Sequence, residues 1–210
     1  MAYTMTPWGY DVDGTLPPLI TVDEFDAMTG GKWANDERVE PAILAASAAI
    51  RSYCRWHVYP SMSCRATLDT DGASSLWLPT TILTDVTTVT VNGTDVGDAY
   101  QWSRIGQVLP DSRPAARLQG AVVEYEAGID AMPADLAEAV KNLVVRAVAL
   151  SYGVASETAG GVSISYAANA AYAAASSGVE SQAATLAPYR VVRSHAAGWQ
   201  LLFYCLRPGL

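Results

Sequence analysis

The sequence predicts an α+β protein that is predominantly helical: a small helical bundle with an inserted antiparallel β-hairpin or sheet region and an extended C-terminal arm. Two stretches, at about 36–56 and 133–152, repeat apolar residues at helical spacing. The stretch between them, at about 64–127, consists of short runs rich in Val, Thr and aromatic residues, which favour strands. Residues 196–210 (AAGWQLLFYCLRPGL) are strongly apolar and predict the arm.

The N-terminal part predicts an irregular arm followed by two helices. Residues 1–19 contain two glycines and three prolines, which favour irregular backbone. Thr21-Val-Asp-Glu24 matches a capping box, because the Thr hydroxyl and the Glu carboxylate can each bond an unpaired N–H of the first turn. It predicts a short helix at about 21–29. The second helix is rich in alanine and therefore thin enough for close packing. Its predicted apolar face consists of Val39, Ile43, Ala46, Ile50 and Tyr53.

The predicted β region is made of five short runs: CRATLDT, SSLWLP, DVTTVTVNG, DAYQWSR and RLQGAVVEYEAG. Asn92-Gly93 predicts a hairpin turn, because both residues accept positive φ. Asp69-Thr-Asp71-Gly72 is similar to the start of a calcium loop, but no Glu lies between Glu40 and Glu124 to complete one. We therefore interpret it as a second hairpin turn.

The C-terminal part predicts a long helix, a loop and a short helix. Pro133 suits a first helical position, and the helix at about 133–152 has a wide apolar face. Residues 154–182 are small and weakly charged, and predict a flexible or partner-ordered loop in which GVSISY can form a strand. A last helix is expected at about 183–191. We expect residues 1–194 to form a single domain and residues 195–210 a docking arm.

The charges are distributed unevenly along the chain. The net charge is −8, yet residues 1–138 hold 19 acidic and 8 basic residues, whereas residues 139–210 hold 2 acidic and 5 basic ones. An acidic body argues against a protein that grips DNA, which needs clustered Lys and Arg. A basic end on an acidic body favours head-to-tail association or docking on an acidic partner.

Cysteine usage and hydropathy exclude several classes. Cys54, Cys64 and Cys205 are odd in number and form no C-x-x-C, which argues against a disulfide framework and against a zinc site. The first ten residues lack the basic and apolar regions of a signal peptide, and no stretch approaches the roughly 20 apolar residues of a membrane span. We expect no membrane contact and assembly in the cytoplasm.

One motif suggests an enzyme. Asp11-Val-Asp13-Gly-Thr is close to the D-x-D-G-T opening of haloacid-dehalogenase phosphatases, in which the first Asp is the nucleophile, the second the acid/base, and Mg²⁺ bridges them to phosphate. That family needs a buried strand before the motif, where this chain has TMTPWGY, and a doubly wound sheet, which the element order does not predict. We interpret the motif as a turn. His57 and His195 lack partners at catalytic spacing, so we predict no enzyme, metal or cofactor.

The apolar C-terminal end allows two interpretations. It can pack back on the core of its own chain, or it can dock on a partner, because buried aromatic residues dominate interface energetics. Three nearby basic residues, Arg190, Arg193 and Arg207, favour docking. The candidate docking residues are Trp199, Leu201, Leu202, Phe203, Tyr204, Leu206 and Arg207.

The order of elements resembles the head–tail connector (adaptor, or head-completion) proteins of long-tailed bacteriophages. ITVDEFDAM is followed by the alanine-rich ILAASAAIRSYCRWHVYP and then by LWLPTTILTDVTTVTVNG. The most specific parts are Tyr125-Glu-Ala-Gly128 with Pro133-Ala-Asp-Leu136, and Leu186-Ala-Pro-Tyr-Arg190. The resemblance covers about residues 20–193, and it leaves 154–182 and the end after His195 without a counterpart.

This resemblance implies a structural virion protein without catalysis. Such adaptors form a ring of twelve beneath the portal, join capsid to tail and continue the DNA channel without sequence-specific binding. Their C-terminal segments reach the portal, and their loops meet the next neck or tail-completion protein. The two long helices would then form the ring scaffold, with Leu136, Val140, Leu143, Val144 and Ala147 on the apolar face of the second.

Two alternatives stay open at this point. The first is another role in the same neck, that of a tail-completion or stopper protein. The second is a Mg²⁺-dependent phosphatase that uses Asp11 and Asp13.

Overall fold

The computed structural model describes residues 2–151, 157–159, 162–164 and 178–192. The helices are α1 (Val22–Thr29), α2 (Val39–Cys54), α3 (Ala134–Ser151) and α4 (Ala183–Leu186), and 3₁₀ turns at Glu180–Gln182 and Ala187–Tyr189 flank α4. The strands are β1 (Tyr3–Met5), β2 (Tyr10–Asp13), β3 (Met62–Thr70), β4 (Leu76–Trp77), β5 (Leu83–Val91), β6 (Thr94–Asp95), β7 (Tyr100–Ser103), β8 (Gln107–Pro110), β9 (Arg117–Ala127), β10 (Glu157–Ala159) and β11 (Val162–Ile164).

Most of these strands form two antiparallel sheets. The larger sheet has six strands in the order β1-β2-β3-β9-β5-β6, and the smaller one has three in the order β4-β8-β7. Strands β10 and β11 pair with each other in a separate hairpin. Every pairing is antiparallel.

The prediction of a predominantly helical protein built on a small helical bundle is wrong. Across the described residues, helix and strand contribute similarly to a mixed fold. The reason is that the region expected as an insert supplies the longest strands, β3, β5 and β9, of 9, 9 and 11 residues. These strands present a wide apolar face, and the apolar faces of α2 and α3 bury against it in one core as well as against each other.

Side-chain alternation along the strands divides the larger sheet into a buried and a polar face. In β9, Val123, Tyr125 and Ala127 are buried, whereas Glu124 and Glu126 point to the other side. The same alternation in β2 buries Tyr10 and Val12 and leaves the two Asp residues outside. The helices therefore cover one face of the sheet, and the opposite face is polar.

The N-terminal helix follows its sequence signals. The Thr21 hydroxyl accepts a bond from the Glu24 N–H (3.2 Å), and the Glu24 carboxylate accepts one from the Thr21 N–H (2.7 Å), which completes the capping box. Gly30 ends the helix in the left-handed region at φ +64°. In α2, Pro41 lies in the first turn, where it displaces no helical hydrogen bond.

Two turn predictions differ from the structure and one agrees. The N-terminal segment that was predicted as an irregular arm contains strands β1 and β2. Asp11 and Asp13 lie in β2, so the prediction of a turn at D-x-D-G-T is wrong. Asp69 lies inside β3, and the chain leaves that strand for the smaller sheet, so no hairpin forms there. Asn92-Gly93 does form the β5–β6 hairpin turn, with φ of +53° and +84°.

The predicted loop 154–182 and arm 195–210 lie largely outside the described residues. Within the loop, the structure describes strands β10 and β11 and residues 178–182. Val179 is buried, and a Cβ on Gly178 would lie 2.6 Å from Leu143 Cδ2, so this end packs tightly on α3. None of the helices in the described ranges is long and apolar enough to cross a membrane.

Candidate functional site

Three segments that are distant in sequence meet at the C-terminal end of α2. They are residues 51–59, residues 127–128 at the end of β9, and residues 189–191 after α4. We call this group the C-terminal anchor, because it holds the chain immediately before residues 193–210.

A buried histidine links the anchor to the larger sheet. His57 is fully buried, its Nδ1 lies 2.8 Å from the Tyr10 hydroxyl, and its Nε2 lies 2.8 Å from the Ala127 carbonyl oxygen. Because a carbonyl can only accept, Nε2 carries the proton and the Tyr10 hydroxyl donates to Nδ1. The backbone N–H of His57 in turn donates to the Tyr10 oxygen at 2.9 Å. The ring is thus neutral and fully bonded.

Burial lowers the pKa of His57 to about 4, since the charged ring would lose its hydration; the Ala127 carbonyl opposes this shift. The unfolded chain has the ordinary pKa of about 6.5. Above pH 6.5 both states are neutral, so the stabilisation is complete. As the pH falls from 6.5 towards 4, His57 binds a proton in the unfolded chain but not in the folded chain, and the unfolding free energy therefore decreases.

We therefore expect the unfolding free energy to fall by roughly 3 kcal/mol more in the native chain than in a His57→Gln variant between pH 6.5 and 4. The glutamine has no titrating group and keeps an N–H donor. Urea denaturation across this pH range measures the difference, with His195 replaced by Gln in both proteins so that they differ at one histidine. If the unfolding free energies of the two proteins decreased equally between pH 6.5 and 4, the buried His57 ring would not account for the loss of stability in acid.

A buried arginine fixes the turn that follows α2. Arg51 donates from Nε to the His57 carbonyl (2.9 Å) and from Nη2 to the Tyr59 carbonyl (2.7 Å). Burial lowers the pKa of Arg51 to about 10, so it stays charged at neutral pH. The turn contains two non-glycine residues in the left-handed region, Arg55 (φ +65°) and Val58 (φ +67°). The bonds from Arg51 hold this strained turn in place.

The C-terminal segment is attached to this turn by several contacts. Trp56, fully buried, donates from Nε1 to the Tyr189 carbonyl at 2.5 Å, and the Val191 N–H donates to the Cys54 carbonyl at 2.9 Å. The Tyr189 hydroxyl donates to the Asp135 carboxylate (2.8 and 2.9 Å), and burial and then that carboxylate raise the pKa of Tyr189 to about 12. The chain is thus held on both α2 and α3.

The motifs that carried the resemblance meet in this anchor. Gly128 ends β9 against the Pro60 and Ser61 backbone, and Ala127 supplies the carbonyl for His57. Asp135 of Pro-Ala-Asp-Leu bonds Tyr189 of Leu-Ala-Pro-Tyr-Arg. The Arg190 guanidinium lies 5.0 Å from the centre of the Tyr53 ring. These motifs, although distant in sequence, therefore lie together in one tertiary contact of the folded chain.

The predicted site residues divide into two groups. The scaffold residues all lie buried on α3: Leu136, Val140, Leu143, Val144 and Ala147. Their role in a ring stays a prediction. The docking residues, from Trp199 to Arg207, lie outside the described residues, and the structure places the chain up to Val192.

Sequence reasoning missed the polar centre of the anchor. It gave His57 no partner and assigned no role to Tyr10 or Arg51. One signal in the sequence was available. Arg51 lies next to Ile50, on the apolar face of α2, and a charged side chain that is buried there needs hydrogen-bond partners. Those partners are backbone carbonyls of a later turn, which no side-chain pattern reveals.

The two Asp residues of the D-x-D-G-T motif occupy the polar face of the larger sheet. Asp11, Arg65, Glu124 and Thr88 form a row across four strands. Arg65 lies 3.9 Å from both carboxylates, and the Thr88 hydroxyl donates to Glu124 at 3.2 Å. Asp13 accepts a bond from the Ala2 N–H at 3.1 Å.

This arrangement differs from the phosphatase site that the motif suggested. β2 is antiparallel to both of its neighbours, whereas that site lies at the end of a strand in a doubly wound parallel sheet. Among the described residues, no group of three or more His, Cys, Asp or Glu side chains is placed to hold a metal ion. The carboxylates instead take part in cross-strand pairing.

Comparison with known proteins assigns the chain to a class. The family model described as head completion protein matches residues 18–177. The chain therefore belongs to the head completion protein family. It is a structural protein of the virion neck, where head and tail are joined. No curated protein matches the sequence.

Two solved structures share the fold. A chain from the neck of a native GTA particle, computed with C12 symmetry, is 18% identical with a TM-score of 0.53, over 94% of this chain and 99% of that one. A chain from the neck of an empty GTA particle, computed with C6 symmetry, is 19% identical with a TM-score of 0.51, over 90% of this chain and 98% of that one. At these identities the likeness establishes the fold.

Proposed function

We propose that this neck protein assembles into a ring of twelve copies under the portal, joins the capsid to the tail and continues the DNA channel. The observation that carries the proposal is the shared fold with a neck chain whose structure was computed with C12 symmetry, matched over 99% of that chain. The ring forms in the host cytoplasm and becomes part of the virion. It performs no catalytic step and needs no cofactor.

The charge distribution supports a channel through which DNA slides. Residues 1–138, which form both sheets and the first two helices, hold 19 acidic and 8 basic residues. An acidic wall repels phosphate, so DNA passes without being held, the converse of binding by counterion release. The DNA is therefore a passing ligand with no sequence-specific contact.

The C-terminal arm is the proposed portal contact. The anchor fixes the chain through Val191, so residues 195–210 start from a defined point of the body. A defined starting point reduces the entropy that docking must overcome. The aromatic and aliphatic residues from Trp199 to Leu206 would fill apolar pockets of the portal, and Arg207 would meet an acidic rim. The opposite side of the ring meets the next neck or tail-completion protein.

Deletion of residues 195–210 tests the proposal. We expect the truncated chain to lose binding to the portal at least tenfold while keeping its unfolding free energy, because the deletion retains every anchor contact that the described residues make, through Val191. Binding is measured by co-sedimentation with assembled portal, and the ring is located by electron microscopy of intact particles. A variant with Trp199, Phe203 and Tyr204 changed to Ser should behave like the deletion, and Arg207→Gln should weaken binding by a smaller factor, because a charge at the rim of an interface contributes less than buried aromatic residues.

Two outcomes would contradict the proposal. Unchanged portal binding by the truncated chain would remove the arm from the interface. A ring found elsewhere than between portal and tail, or absent from the particle, would remove the neck position under the portal.

A further inference from the structure

Strand β1 forms an unusual edge of the larger sheet. It is the first strand in the order, so among the described strands it pairs with β2 alone. Natural proteins protect such edges with charges, prolines, bulges or very short strands. The first six residues of this chain, MAYTMT, contain no charged side chain and no proline, and Met5 is 81% exposed.

The backbone register shows which groups of β1 point outwards. The Gly14 N–H bonds the Ala2 carbonyl, and the Thr6 N–H bonds the Tyr10 carbonyl. In an antiparallel pair these bonded positions alternate with positions that face away. Tyr3 and Met5 therefore direct their N–H and C=O groups away from β2, towards the free side. They offer a template for one further strand.

The other end strands of the two sheets, in the described part of the chain, are shorter than β1 or are bonded to a neighbouring strand. β6 has two residues, and one of them is Asp95. β4 also has two residues. β7 is bonded to β5 of the larger sheet, because the Tyr100 hydroxyl donates to the Val86 carbonyl. The Leu83 N–H of β5 also donates to the carbonyl of Arg104, the residue that follows β7. Of the two end strands of the larger sheet, β1 is thus the longer one and the one without a charged side chain.

The β10–β11 hairpin is the element that could add a strand to the β1 edge. Its strands, Glu157–Ala159 and Val162–Ile164, have three residues each, the same length as β1. They pair with each other and belong to neither sheet of their own chain. An isolated two-stranded hairpin is marginally stable in water, and a third strand stabilises it.

We propose that the β10–β11 hairpin of one copy adds to the β1 edge of a neighbouring copy and extends the six-stranded sheet across the interface. The inference rests on the proposed ring, in which each copy meets its two neighbours through two different surfaces. The hairpin is one of these surfaces and β1 is the other. Because every copy both donates and accepts, the contact continues from copy to copy until the ring closes.

Thiol cross-linking tests this contact in particles or in rings assembled on the portal. The chain carries Met5→Cys and Ser163→Cys in a Cys205→Ser background; Cys54 and Cys64 are buried. With a short bis-maleimide we expect a ladder of covalent multimers on denaturing gels. Met5→Cys alone should give no product larger than a dimer. A matched pair at the β6 edge, Thr94→Cys with Ser163→Cys, should give no ladder.

A proline variant tests the same contact without cross-linking. Met5→Pro removes an N–H that points away from β2, so the β1–β2 pairing stays intact. We expect it to reduce the fraction of chain in rings at least tenfold, measured by sedimentation, whereas Met5→Ala keeps the N–H and assembles normally.

The outcomes separate this contact from the ring itself. Rings seen by electron microscopy with no ladder, and with normal assembly of Met5→Pro, would overturn the strand addition and leave the ring. A ladder from chain to portal instead of from chain to chain would also overturn it. A chain that never associates would overturn both.

Discussion

Trp56→Ala is expected to lower the unfolding free energy by about 3–5 kcal/mol. The Trp56 side chain is fully buried at the C-terminal end of α2, edge-on to His57 with ring centroids 5.3 Å apart. Removing it leaves a cavity that the strained turn cannot close, and it leaves the Tyr189 carbonyl without its donor. The loss should extend to residues 178–192, whose amide hydrogens should exchange faster than those of α2.

The control for this substitution is another tryptophan. Trp102 on β7 is 38% exposed, so Trp102→Ala should cost less than about 2 kcal/mol and leave exchange at 178–192 unchanged. Trp56→Phe keeps most of the buried ring but loses the N–H, and should cost about 1–3 kcal/mol. Urea denaturation with hydrogen exchange measures both effects. Equal losses at Trp56 and Trp102 would show that the anchor adds nothing to stability.

Gly128→Ala is expected to lower the unfolding free energy by roughly 2–5 kcal/mol. Gly128 has φ +126°, and a Cβ there would lie 2.6 Å from Ser61 Cα and against the Pro60 carbonyl. Both neighbours are backbone atoms, so no side chain can rotate away. Relief would require β9 to move, and this would pull the Ala127 carbonyl from His57.

A second glycine separates the clash from the effect of positive φ alone. Gly93 in the β5–β6 turn has φ +84° and nothing within 4 Å of a Cβ, so Gly93→Ala should cost roughly 1–2 kcal/mol. Urea denaturation of the two variants at pH 7 gives the difference. If Gly93→Ala proved as destabilising as Gly128→Ala, the close approach of β9 to residues 60–61 would add nothing to the loss of unfolding free energy in Gly128→Ala.

Local signals in the sequence located the helices and the five predicted strand runs, which correspond to β3, β4, β5, β7 and β9. Apolar spacing predicted helices at about 36–56 and 133–152, and α2 and α3 lie at Val39–Cys54 and Ala134–Ser151. The capping box and Asn92-Gly93 also behave as predicted, because each depends on residues within four positions. The strands β1 and β2 were missed, since β2 pairs with β3, more than 50 residues away, and β1 joins the sheet through β2.

The D-x-D-G-T motif shows the limit of a prediction that considers only neighbouring residues. Asp and Gly favour turns when neighbours are the only consideration. In the structure, Val12 between the two Asp residues is buried, and the pairing of β2 with β3 imposes the extended backbone. Gly14 with φ +81° marks the turn one residue after the strand. The composition predicted a turn here, but its position depended on a partner strand.

The sequence by itself determined the helices, their apolar faces, the capped start of α1 and the membership of a family, because these follow from spacing and short motifs. Tertiary structure decided that the sheet is the main layer and that Arg51, His57, Trp56 and Tyr189 meet in one anchor. The physical reason is that the acceptors of these bonds are backbone carbonyls and that strand pairing joins backbone groups, so the partners leave no side-chain pattern in the sequence. These hydrogen bonds join residues as distant in sequence as Cys54 and Val191, and only the folded chain brings those groups together.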